Sequence, residues 1–275
     1  MQRSGLRNVC SAVALAASVV VAGLASATNS EAQAAHWQPT KGLTWEIQIS
    51  STPKRIKPVQ AYDVDLFETP QAKLNEIEGR GIKTICYFSA GSYEQWRSDA
   101  KQLAPYRGAK LKGWPGEWWI DIRKPEVRAV MEARLDLAAQ KGCDAVDPDN
   151  VDGYQNKNGL GLTAAHQADY LKFLAEEAHE RGMAIGLKNS VELIPQVVND
   201  FDFTVNEECF DYRECGTLKP FIDANKPVLQ IQYGDKAKDR KKAAKKFCKQ
   251  ANNLGFSTLI KGWDLDAKGI DCTKR

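Results

Sequence analysis

Residues 143–154, CDAVDPDNVDGY, concentrate acid and amide groups: Asp147, Asp149, Asn150 and Asp152 fall within one short stretch. The segment opens as an apolar strand through Ala145 and Val146, and alternation sends Ala145, Asp147 and Asp149 to the same side. Pro148 offers no N–H to a ladder, so pairing is expected to end there. Carboxylates at the carboxyl end of a buried strand serve as acids, bases or nucleophiles. A lone Asp would read as a turn residue satisfying its own backbone. Three, with an Asn, directly after a strand point to a site. An EF-hand-type calcium loop is the competing reading and fails at both ends. With Gly153 at its sixth position, Pro148 falls at the first and Gly159 at the twelfth.

Positioning such groups requires a frame. Apolar or alternating runs mark strands at 45–50, 61–67, 82–89, around Asp144, and at 184–189, 201–207, 228–233 and 257–261. Helical periodicity separates most of them, over 69–80, 125–141, 163–181 and 236–254, while 114–122 is an aromatic-rich excursion. Eight strands in a chain of 275 residues point to a single-domain (β/α)8 barrel, an α/β fold. No Gly-rich phosphate loop follows the first strand, which disfavours an open doubly wound sheet. Polar residues collect at the strand ends: Asp65, Ser89, Asp147, Asp149, Lys188, Asn189, Glu207, Tyr233 and Trp263. That is the face on which barrel enzymes carry their chemistry.

The N-terminus reads as an export signal. Arg3 and Arg7 precede an apolar run over 9–25, and Ala25-Ser26-Ala27 offers a cleavage site, with Ala32-Gln33-Ala34 a second. The expected organisation is a signal peptide over 1–27 (at most to 34), a linker over 28–44 and the barrel over 45–275. Cys10 lies at the start of the apolar run and not after it, which argues against a lipid anchor, and no other membrane segment is expected. The formal net charge is +3, and loss of the leader takes two Arg and no acid, so nucleic acid is not an expected partner. The remaining Cys are even in number, as in disulfide-bonded secreted proteins. Cys209 and Cys215 are close enough to close a small loop. Cys248 with Cys272 would pin the C-terminus, leaving Cys86 with Cys143. No spacing reads as a zinc site, and the three His are scattered.

Asp149 and Glu207, from different strands, are the minimal equipment for glycoside hydrolysis. Asn150, Lys188 and Asn189 are placed to bind sugar hydroxyls or tune the carboxylates, and Tyr154 and Tyr233 join them as substrate-binding candidates. Trp96, Trp114, Trp118, Trp119 and Trp263 offer stacking platforms. The motifs DAVDPDNVDGY, IGLKNS and VNEECFDYREC, with CYFSAGSYEQWR and WWIDIRKPEVR upstream, resemble glycoside hydrolase family 114, the endo-α-1,4-polygalactosaminidases. The resemblance spans the mature chain. It implies a (β/α)8 barrel, no cofactor, and cleavage of α-1,4-linked galactosamine polymers such as partly deacetylated galactosaminogalactan. The family's catalytic pair carries over onto Asp149 and Glu207. Related sequences often have Glu in place of Asp147, whose role stays open.

A cationic polymer would be complemented by an acidic cleft formed by Asp65, Asp147, Asp152 and Glu208, and activity would then fall steeply with ionic strength. The Lys-rich stretch 236–249 reads as a solvated helix face. Asp149 is expected as nucleophile, kept ionised by Asn150 and Lys188. Glu207 is expected as the acid, its pKa raised by apolar neighbours such as Phe210. The reverse assignment stays open, and retention is the favoured outcome. A secreted, extracellular monomer without metal is expected. Readings from other classes are a catalytically silent carbohydrate-binding barrel and a polysaccharide deacetylase using Asp147 and Asp149 as metal ligands, the latter lacking His nearby.

Overall fold

A strand buried on both faces has one row of side chains for the barrel axis and one for the helices. The computed structural model describes residues 36–275, which fall within one compact unit; the expected leader lies outside the described residues. The chain begins with β1 (Trp45–Gln48), β2 (Ala61–Asp65), α1 (Gln71–Glu78) and β3 (Lys83–Ser89). An excursion follows, with β4 (Ser92–Glu94), α2 (Ala100–Leu103), β5 (Arg107–Lys110) and β6 (Glu117–Ile120). Then come α3 (Pro125–Gln140), β7 (Ala145–Asp149), α4 (Ala164–Glu180), β8 (Ala184–Lys188), α5 (Ile194–Val197) and β9 (Phe203–Glu207). The rest is α6 (Cys209–Tyr212), α7 (Lys219–Asp223), β10 (Val228–Tyr233), α8 (Ala237–Asn253), β11 (Ser257–Lys261) and β12 (Gly269–Asp271).

Strands β1, β2, β3, β7, β8, β9, β10 and β11 pair in that order, all parallel, and β12 adds antiparallel to β11. All eight parallel strands feed one axial core, which includes Trp45, Ile47, Ile85, Phe203, Val205 and Leu259. This is the expected (β/α)8 barrel, although β1 and β2 are joined without a helix and β8 and β9 by little more than α5. Phe203 fills the axis because Gly186 opposite lacks a Cβ, which would lie 2.4 Å from its ring. At the β11–β1 seam, the Trp45 indole donates to the Ser257 carbonyl at 2.7 Å, and the buried Lys261 ammonium pairs with Glu46.

Outward rows carry Phe88, Val146, Ile185 and Leu187, which pack with Leu135 of α3 and Leu171 and Leu174 of α4. Each such Leu contributes about 1.5–3 kcal/mol by leaving water. Helix α4 starts where Thr163 accepts from the His166 N–H at 3.3 Å and the His166 ring accepts from the Thr163 N–H. Helix α8 buries Ala243, Ala244, Phe247 and Cys248 and leaves Lys238, Lys241, Lys242 and Lys245 exposed, a solvated face. The excursion is a three-stranded antiparallel sheet in the order β4, β6, β5.

Three details depart from the sequence pattern. Pairing does not end at Pro148: β7 continues against β3 through Phe88↔Pro148 and Ser89↔Asp149, but against β8 it stops at Val146↔Ile185. Proline interrupts only the side to which its nitrogen points. Part of the expected linker packs on the barrel, with Leu43 buried and Trp37 half-buried against the axial core. Two of the scattered His meet: the His36 and His179 rings stack at 4.1 Å and both bond the Asp202 carboxylate, at 3.0 and 2.8 Å. Each ring donates an N–H to the one carboxylate, which makes a hydrogen-bonded clasp on the segment that enters β1.

All three expected disulfides form: Cys86–Cys143, Cys209–Cys215 and Cys248–Cys272. The first closes 57 residues of chain and the second 6. By loop-closure entropy, replacing Cys86 and Cys143 together by Ser should cost about 4 kcal/mol, and Cys209 with Cys215 only about 2. Denaturant unfolding of the two double variants checks the order; a larger loss for the short loop would contradict it.

Candidate active site

The axial rows end at one mouth. Row 145–147–149 of β7 ends in Asp149, 184–186–188 of β8 in Lys188, 203–205–207 of β9 in Glu207 and 229–231–233 of β10 in Tyr233. Immediately beyond, the backbone turns through left-handed residues: Asn150 (φ 60°), Asn189 (φ 49°), Ser190 (φ 46°) and Glu208 (φ 59°). Asn accepts this conformation better than most residues, yet each case costs on the order of 1–3 kcal/mol, and such turns cluster where a site needs its side chains aimed. Asp149 is clasped from behind, its carbonyl accepting the N–H groups of Ala90 and Gly91 at 2.8 and 3.1 Å. The approach requires Gly91: a Cβ there would lie 1.7 Å from the Asn150 carbonyl oxygen.

Lys188 organises the floor. Its Nζ lies 3.1 Å from Asp149 Oδ1 and 3.8 Å from Glu207 Oε2. Asp149 also accepts the Tyr87 hydroxyl at 2.8 Å and the Asn150 N–H at 2.7 Å. Glu207 accepts the Asn189 amide at 3.0 Å and the Tyr233 hydroxyl. Burial alone would push the Asp149 carboxyl up. The Lys188 charge, the Tyr87 hydroxyl and the Asn150 N–H outweigh it, holding Asp149 below the ordinary carboxylate range. Burial likewise disfavours the Lys188 ammonium, but Asp149, Glu207 and Asp147 overcome this and push its pKa well up. Burial, and then the neighbouring carboxylates, hold the Tyr87 and Tyr233 phenols well above their usual range, so both remain donors.

A cleft of about 710 Å³ opens over this floor, with Asn150, Asp152, Glu117, Trp114, Trp119 and Trp263 among its lining. Trp263 stacks on Tyr233 at 3.9 Å and is half exposed, a platform at the mouth. Burial pushes the Glu117 carboxyl up to about 7, against the Ser92 hydroxyl that donates to it at 2.8 Å. Burial and then the Asp149 charge push Asp152 up to about 6.

Of the expected site residues, Asp149, Asn150, Asp152, Lys188, Asn189, Glu207, Tyr233 and Trp263 line the cleft; Asp65, Asp147, Tyr154 and Glu208 do not. Asp65 is buried, with its oxygens taken by Arg97 at 2.7 and 3.1 Å and by the Phe67 and Glu68 N–H groups. Asp147 is wholly buried beneath the floor. The Tyr154 hydroxyl donates to Glu192 at 3.0 Å. Glu208 occupies the left-handed turn after β9. The expected acidic cleft is therefore a mixed one, because Lys110, Lys112 and Lys157 share its lining with the acids, and a steep salt dependence does not follow from it. Phe210 stacks on Phe247 of α8 at 5.1 Å instead of shielding Glu207, whose partners are polar. Trp96 and Trp118 lie outside the cleft lining. Sequence reasoning missed Tyr87, although it shares the axial row of Ile85. It also missed Glu117, which carried no signal within the aromatic excursion.

The profile of glycoside hydrolase family GH114 matches residues 26–275. The crystal structure of Aspergillus fumigatus Ega3 in complex with galactosamine is 42% identical in sequence and superposes with a TM-score of 0.81, over 86% of this chain and 98% of that one. The glycoside hydrolase domain of PelA from Pseudomonas aeruginosa, at 15% identity and a TM-score of 0.68, covers 82% of this chain and 97% of its own and shares the fold. No curated protein matches in sequence. With carboxylates from the two strands that flank the strand of a buried lysine at the mouth of a β/α barrel, the chain belongs to glycoside hydrolase family GH114.

Proposed function

We propose that this chain is an exported, endo-acting hydrolase of α-1,4-linked galactosamine-containing polysaccharide, with Asp149 as nucleophile and Glu207 as acid and base. The observation that carries it is Lys188, set between the two carboxyl groups and nearer Asp149, whose ionised form it favours. The amino sugar is supported by the galactosamine complex of the 42% identical Ega3. Export is supported by the leader-like N-terminus and by the three disulfides, a bond type kept in oxidising compartments. Among the described residues no helix is long and apolar enough to cross a membrane.

In the first step an Asp149 oxygen attacks the anomeric carbon while Glu207 gives its proton to the departing glycosidic oxygen. Tyr87 and Lys188 keep the nucleophile aimed. In the second step Glu207 takes a proton from water, which attacks the anomeric carbon and releases Asp149. Asn150, Asp152, Asn189, Tyr233 and Trp263 bind the sugar around them, Trp263 by stacking. Common contact with Lys188 holds the nearest oxygens of the pair no more than about 7 Å apart. A retaining separation of the two carboxyl groups, about 5–5.5 Å, fits within that bound.

Asp149→Asn and Glu207→Gln should each lower kcat by about a hundredfold to ten-thousandfold. Glu117→Gln, which alters a carboxyl of the cleft wall, should keep at least about a tenth of the activity, measured by reducing ends released from an α-1,4-galactosamine polymer. Were Glu117→Gln as damaging as Glu207→Gln, Glu117 would be the acid. Tyr233→Phe removes a hydrogen bond to a charged acceptor and should cost roughly tenfold to a hundredfold. Proton NMR of freshly released ends should show the α anomer first; initial β product would refute retention.

A further inference from the structure

Beneath the floor lie two acids that the reaction above does not use. Asp147 on β7 and Asp63 on β2 are both completely buried. Among the described residues no N–H or O–H of any third residue reaches their four carboxyl oxygens. The two carboxyls instead lie in hydrogen-bonding contact with each other. Two acceptors in contact repel unless a proton sits between them, and two adjacent carboxylates in a dry interior do not both stay ionised. The pair is satisfied only as an acid bonded to an acid, or as an acid bonded to a carboxylate.

The groups facing it are few. Lys188 comes from β8, Asp149 from two residues along β7 and Glu207 from β9. Tyr87 stands on β3, which lies between β2 and β7. Lys188 is the one cation in this set, and Asp149 and Glu207 already divide it.

We propose that Asp63 and Asp147 are a proton-sharing pair of positioning residues, which sets how far Lys188 is given to Asp149 and Glu207 and how far it is drawn into the barrel. The kinetic part rests on the hydrolase reading above. Burial, and then Asp147, hold the Asp63 carboxyl well above the usual range, and burial pushes Asp147 up to about 7 against the pull of Lys188. The pair therefore loses its first proton near neutrality and keeps the second beyond it. While the pair is neutral, Lys188 serves the two carboxylates of the floor. Once Asp147 is charged, Lys188 has a third carboxylate beneath it and turns partly away from Asp149.

Substitution separates the two states. In Asp63→Asn the new amide donates to Asp147 and favours its carboxylate, so the variant is fixed in the charged state. The double variant Asp63→Asn/Asp147→Asn is fixed in the neutral one. At about pH 6, Asp63→Asn should lower kcat roughly tenfold with KM little changed. Adding Asp147→Asn should restore most of that loss and extend the mild-acid rate to alkaline pH. A purely structural role predicts further loss from the second change, so failure of rescue with unshifted pH profiles overturns the proposal. A second measurement needs no variant to fold and no substrate. Carbon-13 carboxyl spectra of aspartate-labelled wild-type protein should show one aspartate still protonated at about pH 8. If every aspartate is ionised there, the pair holds no proton and the inference falls, whatever polymer the enzyme cuts.

Discussion

Lys188 is a buried ammonium ringed by carboxyl groups, and the arrangement of the cleft follows from that. Desolvating such an ion costs several kcal/mol, and an unpartnered lysine would lose its proton instead. Its charge persists because Asp149 stands 3.1 Å away and Glu207 3.8 Å away. The dependence runs both ways, since Asp149 would drift upward in pKa without the lysine. The three side chains come from consecutive strands, β7, β8 and β9, so the barrel ladder fixes their spacing. Covalent neighbours could not provide this, because adjacent residues on a strand point to opposite faces.

The backbone is shaped to the same end. The β7–β8 ladder stops early, after Val146↔Ile185, and each of the three strands leaves its last residue through a left-handed turn. Hydrogen bonds hold those turns in place: the Asn150 amide donates to Ser89 at 3.0 Å, the Ser190 hydroxyl to the Val151 carbonyl at 2.7 Å, and the Glu207 backbone N–H to the Asn189 side-chain oxygen at 2.9 Å. Local strain at the mouth is offset by the ladders and the apolar core below.

Much of this was legible in the amino-acid order. Each main strand is an apolar run of its own, which is why all eight could be counted, and parity alone places Asp149, Lys188 and Glu207 on the axis. Depth was not legible. Asp147 has the same parity as Asp149 but lies two residues lower, about 6–7 Å along the strand, and that step separates a cleft from a sealed interior. Asp65 was misread for a related reason: its partner, Arg97, arrives from the excursion, whose antiparallel pairing has no signature in the barrel pattern. Glu117 was invisible for the same cause. The clasp of His36, His179 and Asp202 joins residues too far apart in the chain for spacing to reveal.

The cleft has two origins. Its floor is made by strands of the barrel, whereas one wall, with Trp114, Glu117 and Trp119, belongs to the stretch inserted between β3 and α3. The insertion is anchored to the barrel at several points, among them the Arg97–Asp65 ion pair, the Ser89–Ser92 hydroxyl pair, the Ala109 N–H on the Asn158 carbonyl and the seat of Gly91 against Asn150. The carboxylates with their lysine thus sit on one part of the chain, and the aromatic wall that flanks them on another. A side chain exchanged at Trp114 or Glu117 would therefore reshape one side of the cleft while leaving the strands that hold Lys188 as they are.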